Sequence, residues 1–391
     1  MCTRTGAPSG VAGADPRQSG ALAAALRIQP TTAVRPLDQA DRALADLARR
    51  TGLRGRRARP VNRIDDHAPM VRLDLDRIRR ARTVIDPVFL DSPQYDCAPL
   101  GDALGCSITL KIETLNPVRS FKGRGTETVL HRLAQRAESP AAVCASAGNL
   151  GQALAYSGAR RGIPVTVVAA RTANPFKIER IRALGAAVRL HGDDIEDARL
   201  LARTIAEEPG VHLVEDSLDV ATCEGAGTIG LELLRGRPPL DTLLIALGGG
   251  ALASGVGHAA KALAPHVEVV AIQPTGAPAM ALSWRRGSVV HTDTLDTIAD
   301  GVAGRHPIPE VLDDLLVVVD DVVLVGEDSI TAGMRLLHQH AGVVVEPSAA
   351  LGVAAVLENR ARFAGRRVAT VLCGSNVTTE DFARWVFGTG R

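Results

Sequence analysis

Residues 242–263 read TLLIALGGGALASGVGHAAKAL, and the order of residue types in that stretch decides the fold class. TLLIAL (242–247) is a short aliphatic run with the composition of a strand buried on both faces. Gly248-Gly249-Gly250-Ala251-Leu252 follows at once, and from Ala253 to Leu263 small residues dominate and read as a helix. Strand, glycine turn and helix in immediate succession form the first half of a β-α-β unit. Glycines at such a turn let backbone N–H groups point at an anion, and the helix N-terminus adds positive potential, so the loop is a candidate phosphate cradle. The spacing Gly248-x-Gly250-x-x-Ala253 also satisfies a dinucleotide fingerprint, which requires an acid at the end of the next strand. That strand, EVVAIQP (268–274), ends in Gln273-Pro274. The phosphate of another cofactor is therefore the favoured ligand, with a plain strand-to-helix turn as the alternative.

Working outward, the runs SITLKIE (107–113), AAVCAS (141–146), PVTVVAA (164–170), AAVRLHG (186–192), LLVVVDD (315–321) and RVATVLCG (367–374) have the same strand-like character. Helix-length periodic stretches lie between several of them: Gly151–Gly162, Pro175–Gly185 and Ile195–Glu207. The second opens with Pro and closes with Gly, as helix ends prefer. The repeat predicts an α/β fold of mostly parallel open sheets flanked by helices, with chemistry in the loops that leave the carboxyl ends of the strands.

The chain has 391 residues, which allows two to three domains, and 45 basic against 43 acidic side chains leave a net charge of +2. No large excess of either sign marks a nucleic-acid or membrane-surface binder. Only four lysines occur, at 111, 122, 177 and 261, and the six cysteines form no CxxC pair, which suits reduced thiols in the cytoplasm. Neither a secretory signal nor a membrane span is visible. Residues 1–65, rich in Ala, Arg, Gly and Pro, with a basic cluster at Arg54, Arg56, Arg57 and Arg59, read as a mobile N-terminal extension. His338 and His340, two apart in a helical pattern, point about 200° apart and cannot share a metal, so they read as solvent-facing.

Three further loops carry chemistry. Ser120-Phe121-Lys122-Gly123 follows the strand SITLKIE, and a lysine there can form a Schiff base with a carbonyl cofactor and then act as base. Ser146-Ala147-Gly148-Asn149-Leu150 enters a helix, where free N–H groups and hydroxyls can hold a carboxylate. Cys373-Gly374-Ser375-Asn376 closes the last strand. Each alone reads equally as an ordinary turn or helix cap; four in one α/β chain point to a site.

The ordered set KIETLNPVRSFKGRG (111–125), SAGNLGQ (146–152), LGGGAL (247–252), ADGVA (299–303), EPSAA (346–350) and CGSN (373–376) resembles the fold type II pyridoxal-phosphate enzymes, in the threonine/serine dehydratase-like branch of the tryptophan synthase beta superfamily. The resemblance covers about residues 75–391. It implies two mostly parallel sheets in a large cofactor domain (66–140 and 219–391) with a smaller domain (141–218) inserted, and a homodimer or other homo-oligomer. It implies pyridoxal 5'-phosphate bound covalently to Lys122, with Phe121 near its ring, Gly248, Gly249, Gly250, Ala251 and Leu252 on its phosphate, Asn149 at its 3-hydroxyl and Cys373 facing its pyridine nitrogen. Ser146, Ala147, Gly148, Asn149 and Leu150 would hold the carboxylate of an amino-acid substrate.

The implied reaction is α,β-elimination of a β-hydroxy amino acid such as threonine or serine to a 2-oxo acid and ammonia, with Lys122 as catalytic base. A thiol at 373 cannot fix a positive charge on the ring, which favours elimination over transamination. The alternatives are a β-replacement synthase and, from another class, a non-catalytic amino-acid sensor. Departures from the branch at Leu150 and Ala226 bear on substrate choice, Ala147 lacks the hydroxyl that its racemases carry, and Gln273 and Ala279 replace acidic metal ligands, so no divalent metal is expected. With 15 residues after Asn376, no regulatory domain is expected either.

Overall fold

The computed structural model describes residues 72–136, 138–236 and 239–388. The N-terminal extension at 1–65, with its arginine cluster, lies outside the described residues. Among the described residues ten strands form two sheets. The larger has the order β1-β2-β10-β7-β8-β9, from β1 (Gln94–Asp96), β2 (Ser107–Ile112), β7 (Thr242–Ala246), β8 (Glu268–Pro274), β9 (Asp321–Val325) and β10 (Arg367–Leu372). Only the β1–β2 pair is antiparallel. The smaller, wholly parallel sheet has the order β5-β4-β3-β6, from β3 (Ala141–Ala145), β4 (Val165–Ala169), β5 (Ala187–Leu190) and β6 (Val211–Leu213).

The aliphatic runs of β2, β7, β8 and β10 are buried almost end to end, because helices cover both faces of a parallel sheet. The main core surrounds them, from Leu100 through Leu243–Leu247 and Val353–Val356 to Leu372. After β2 the chain runs through the helix Lys122–Ala134, builds the smaller sheet, and returns to β7 through the helix Val220–Leu233. These two helices pack on each other between the sheets. The carboxyl ends of β2, β3, β6, β7 and β10 thereby open on one cleft. Among the described residues no helix is long and apolar enough to cross a membrane.

Three sequence readings need correction. Residues 315–321 are not a strand: Pro309–Val318 is a helix opening with Pro, and the strand begins at Asp321. Val311, Leu312, Leu315 and Val318 are buried at helical spacing, a period the apolar run LLVVV conceals when read without its upstream turn. β1 and β6 were unread because three residues are too few to show alternation. His338 is not solvent-facing; its ring packs edge-on against Phe382 and Phe387, at centroid separations of 5.5 and 5.3 Å.

Candidate active site

The loop before Lys122 is shaped by Asn116, whose Oδ1 accepts from the Val118 N–H at 3.1 Å while its Nδ2 donates to the carbonyls of Glu113 (2.8 Å) and Ser120 (3.1 Å). Such an Asx turn is the structure asparagine favours. The loop is then stitched to the end of β10: Phe121 N–H donates to the Cys373 carbonyl at 3.0 Å, and Ser120 pairs with Gly374 in an isolated bridge. Lys122 therefore starts its helix beside Cys373, with Nζ 4.6 Å from the centre of the Phe121 ring. Its ammonium donates to the Asp216 carboxylate.

The glycine loop after β7 turns at Gly250, which has φ +113, a left-handed backbone that side chains with a Cβ rarely adopt. The helix Ala251–Leu263 begins at once, so its first-turn amides lack intrahelical partners. One of them, Ala251 N–H, donates at 3.0 Å to the buried Ser217 Oγ; Ser217 itself has φ +69. The other side of the cleft is the helix Asn149–Arg161, with Asn149 as its first residue. Within the preceding loop, Gly148 N–H donates to Ser146 Oγ at 3.2 Å.

Asn149 is oriented by a half-buried triangle closed on the buried Glu346. Its Nδ2 donates to Glu346 Oε1 at 2.9 Å and its Oδ1 accepts from Asn376 Nδ2 at 2.6 Å, while the Asn376 main-chain N–H donates to Glu346 Oε2 at 3.0 Å. Gly374 lies so close that a Cβ there would stand 2.6 Å from the Glu346 carboxyl. Burial pushes the Glu346 carboxyl up to about 7, with the Asp300 charge adding to the rise against the hydrogen bonds from Asn149 and Asn376. The Cys373 thiol is also pushed up, by burial first and Glu346 second, with Lys122 opposing, so it is a neutral thiol.

Lys122, Asp216, Asn149, Glu346 and Cys373 line one cavity of about 630 Å³. It brings together the residues that the resemblance assigns to cofactor and substrate: Phe121, Lys122, Ser146 through Leu150, Gly248 through Leu252, and Cys373. Leu150 stands in the cavity wall, whereas Ala226 is fully buried within the helix Val220–Leu233 and does not line it, so only the first of the two departures faces a ligand. Gln273 Oε1 accepts from the Ala281 N–H at 2.8 Å, capping a helix.

Sequence reasoning gave no role to Asp216, Ser217 or Glu346. Glu346 lies in the EPSAA segment, whose position in the order of motifs was a usable signal. Asp216 follows the unread strand β6 and carried none. Among the described residues, Asp216 Oδ1 and Ser348 Oγ are buried in this lining without a hydrogen-bond partner.

The family model described as "Pyridoxal-phosphate dependent enzyme" matches residues 85–374. The chain is 35% identical over 305 residues to the L-threonine ammonia-lyase of Thermotoga maritima, covering 78% of this chain and 76% of that protein. It is 32% identical over 301 residues to the L-threo-3-hydroxyaspartate ammonia-lyase of a Pseudomonas species, covering 76% and 93%. Among solved structures, maize serine racemase superposes with a TM-score of 0.75 at 30% identity, covering 80% of this chain and 97% of that one. The cavity suits pyridoxal phosphate: a glycine turn with helix-start amides for the phosphate, a lysine for the aldehyde, a neutral thiol, and buried polar atoms still lacking partners.

Proposed function

We propose, from the premise that this chain belongs to the pyridoxal-phosphate dependent enzyme family, that it eliminates water from a β-hydroxy amino acid such as threonine or serine, releasing a 2-oxo acid and ammonia. It is a pyridoxal-phosphate-dependent ammonia-lyase of the threonine/serine dehydratase-like kind. When bound, pyridoxal phosphate supplies the electron sink that makes the Cα proton of an attached amino acid removable. Everything else falls to the side chains.

Lys122 would hold the cofactor through its Nζ, and the same amine is placed to take the Cα proton of a bound substrate. The Gly248–Leu252 turn would hold its phosphate. Asn149, locked by Glu346 and Asn376, would offer its remaining amide hydrogen to the cofactor's 3-hydroxyl. Ser146 through Leu150 receive the substrate carboxylate at a helix N-terminus. Cys373, a neutral thiol, would face the cofactor ring with no charge to fix a proton there, which favours loss of the β-substituent. Ala147 has no hydroxyl to deliver a proton to the opposite face, so elimination is favoured over racemisation. Residues 141–218 act as a smaller domain against 66–140 and 219–391, and the enzyme works as a homodimer or other homo-oligomer.

The observation that carries this reading is Lys122 Nζ in the cavity, with the glycine turn and Cys373 in the same wall. Incubating the holoenzyme with threonine, serine and other β-substituted amino acids, while measuring ammonia and 2-oxo acid together, tests it. Equal amounts of both products are expected. A new amino acid formed only with an added nucleophile would mean β-replacement, and no turnover with bound cofactor would mean a sensor.

A further inference from the structure

Asp216 stands out among the acidic groups of the cavity. Both oxygens of Glu346 are engaged, by Asn149 and by the Asn376 amide. Asp216 places one oxygen on Lys122 Nζ and keeps the other, Oδ1, buried without a partner. Its place is set by its neighbours in the chain. β6 pairs with β3 through Leu213, and Ser217, fully buried with φ +69, is pinned by Ala251 N–H. The carboxylate is thus held at the phosphate end of the cavity, its Oδ2 3.8 Å from where a Cβ on Gly249 would lie.

A β-hydroxyl is a poor leaving group and departs readily only as water, so the elimination needs an acid as well as a base. We propose that Asp216 is that acid and that it obtains its proton from Lys122, a proposal that rests on the elimination reading above. Lys122 takes the Cα proton, and the ammonium passes a proton to the Asp216 carboxylate in contact with it. Asp216 then gives a proton to the β-oxygen as the Cβ–O bond breaks. The oxygen leaves as water with the bonding pair, and the pair released by the Cα–H bond becomes the Cα=Cβ bond. Lysine and aspartate end as the free amine and carboxylate with which they began, so no outside proton donor is required.

The test compares leaving groups on Asp216→Asn, which keeps size and hydrogen bonding but carries no transferable carboxyl proton. Serine and threonine need a protonated leaving group, whereas β-chloro-L-alanine loses chloride unaided; both need Lys122 at Cα. The variant is expected to lose about 100-fold or more in kcat on the hydroxy substrates, the usual size of a general-acid effect, and to stay within about threefold on β-chloroalanine. Spectrophotometric titration of the cofactor-free variant should show unchanged pyridoxal phosphate affinity. An equal fall on both substrate classes would place the effect on Lys122 alone and overturn the proposal, as would undiminished hydroxy turnover or loss of cofactor affinity. Failure of the unmodified enzyme on every hydroxy amino acid would instead remove the elimination reading, and this proposal with it.

Discussion

Lys122 and Arg124 lie two residues apart in the first turn of one helix and meet opposite surroundings. Arg124 is fully buried and its guanidinium donates to both oxygens of Glu113 (2.8 and 2.8 Å) and both of Glu232 (2.6 and 2.9 Å), with Lys111 adding a bond to Glu232 at 2.6 Å. Burial alone would raise the Glu232 carboxyl, but the hydrogen bonds and charge of Arg124, with Lys111 beside it, hold it at about 2. Around Lys122, by contrast, Asp216 Oδ1 and Ser348 Oγ have no partner among the described residues, and Glu346 is forced toward its neutral form. A saturated ionic network fixes a backbone; an unsatisfied one is free to act on a ligand. The Arg124 cluster anchors the helix, and the Lys122 cluster uses the position so obtained.

The comparison breaks first at the lysine. Lys122→Ala should lose all measurable turnover and the absorbance of the lysine-bound cofactor while remaining folded by circular dichroism, whereas Lys177→Ala, in the same cavity wall, should keep that absorbance. Unfolding of Lys122→Ala would place the residue with the anchors. At Arg124 the expected effect is on stability. Arg124→Met leaves two buried carboxylates without their main partner and should cost about 3–5 kcal/mol in denaturant unfolding, the usual penalty for halving a buried ion pair. A loss below about 1 kcal/mol, the range of an exposed pair, would erase the contrast between the clusters.

Glu346 sharpens it further. Its folded pKa of about 7 exceeds the ordinary 4.5, so the folded protein binds the proton more tightly. Stability is therefore full below pH 4.5 and falls as pH rises to about 7, by roughly 3 kcal/mol, then levels off. Thermal unfolding of the cofactor-free protein from pH 4 to 8 should show this decline superimposed on other titrations, and Glu346→Gln should remove it. A variant with an unchanged pH profile would show that the carboxyl titrates alike in the folded and unfolded chain. The smallest effect is expected at Cys373→Ser, which keeps an uncharged hydrogen-bonding group and should change kcat by less than about threefold. A large loss would mean that the thiol does more than stay neutral.

How much of this was legible in the sequence follows from the length scale of each signal. The glycine turn at 248–250 was legible because strand, turn and helix succeed one another within 22 residues, and the parallel sheets followed from repetition of that pattern. That Lys122, Asn149 and Cys373 meet in one cavity was legible through the order of their motifs along the chain. The helix at Pro309–Val318 was not, because five consecutive apolar residues suit a buried strand equally well. Asp216 was hidden because its contact with Lys122, 94 residues away in sequence, is made by a loop after a three-residue strand. The Arg124 network was equally silent, since Glu113 and Glu232 look like ordinary charges until two helices and β2 bring them to one guanidinium.

Of the four lysines, Lys122 is the one proposed to carry the cofactor. Reducing the loaded enzyme with borohydride fixes the lysine–cofactor bond, and peptide mass mapping then locates the pyridoxyl group. The expected result is one phosphopyridoxyl group per chain, on the peptide containing Lys122. A group on Lys177, which lines the same cavity, or on Lys111 or Lys261, would contradict the account.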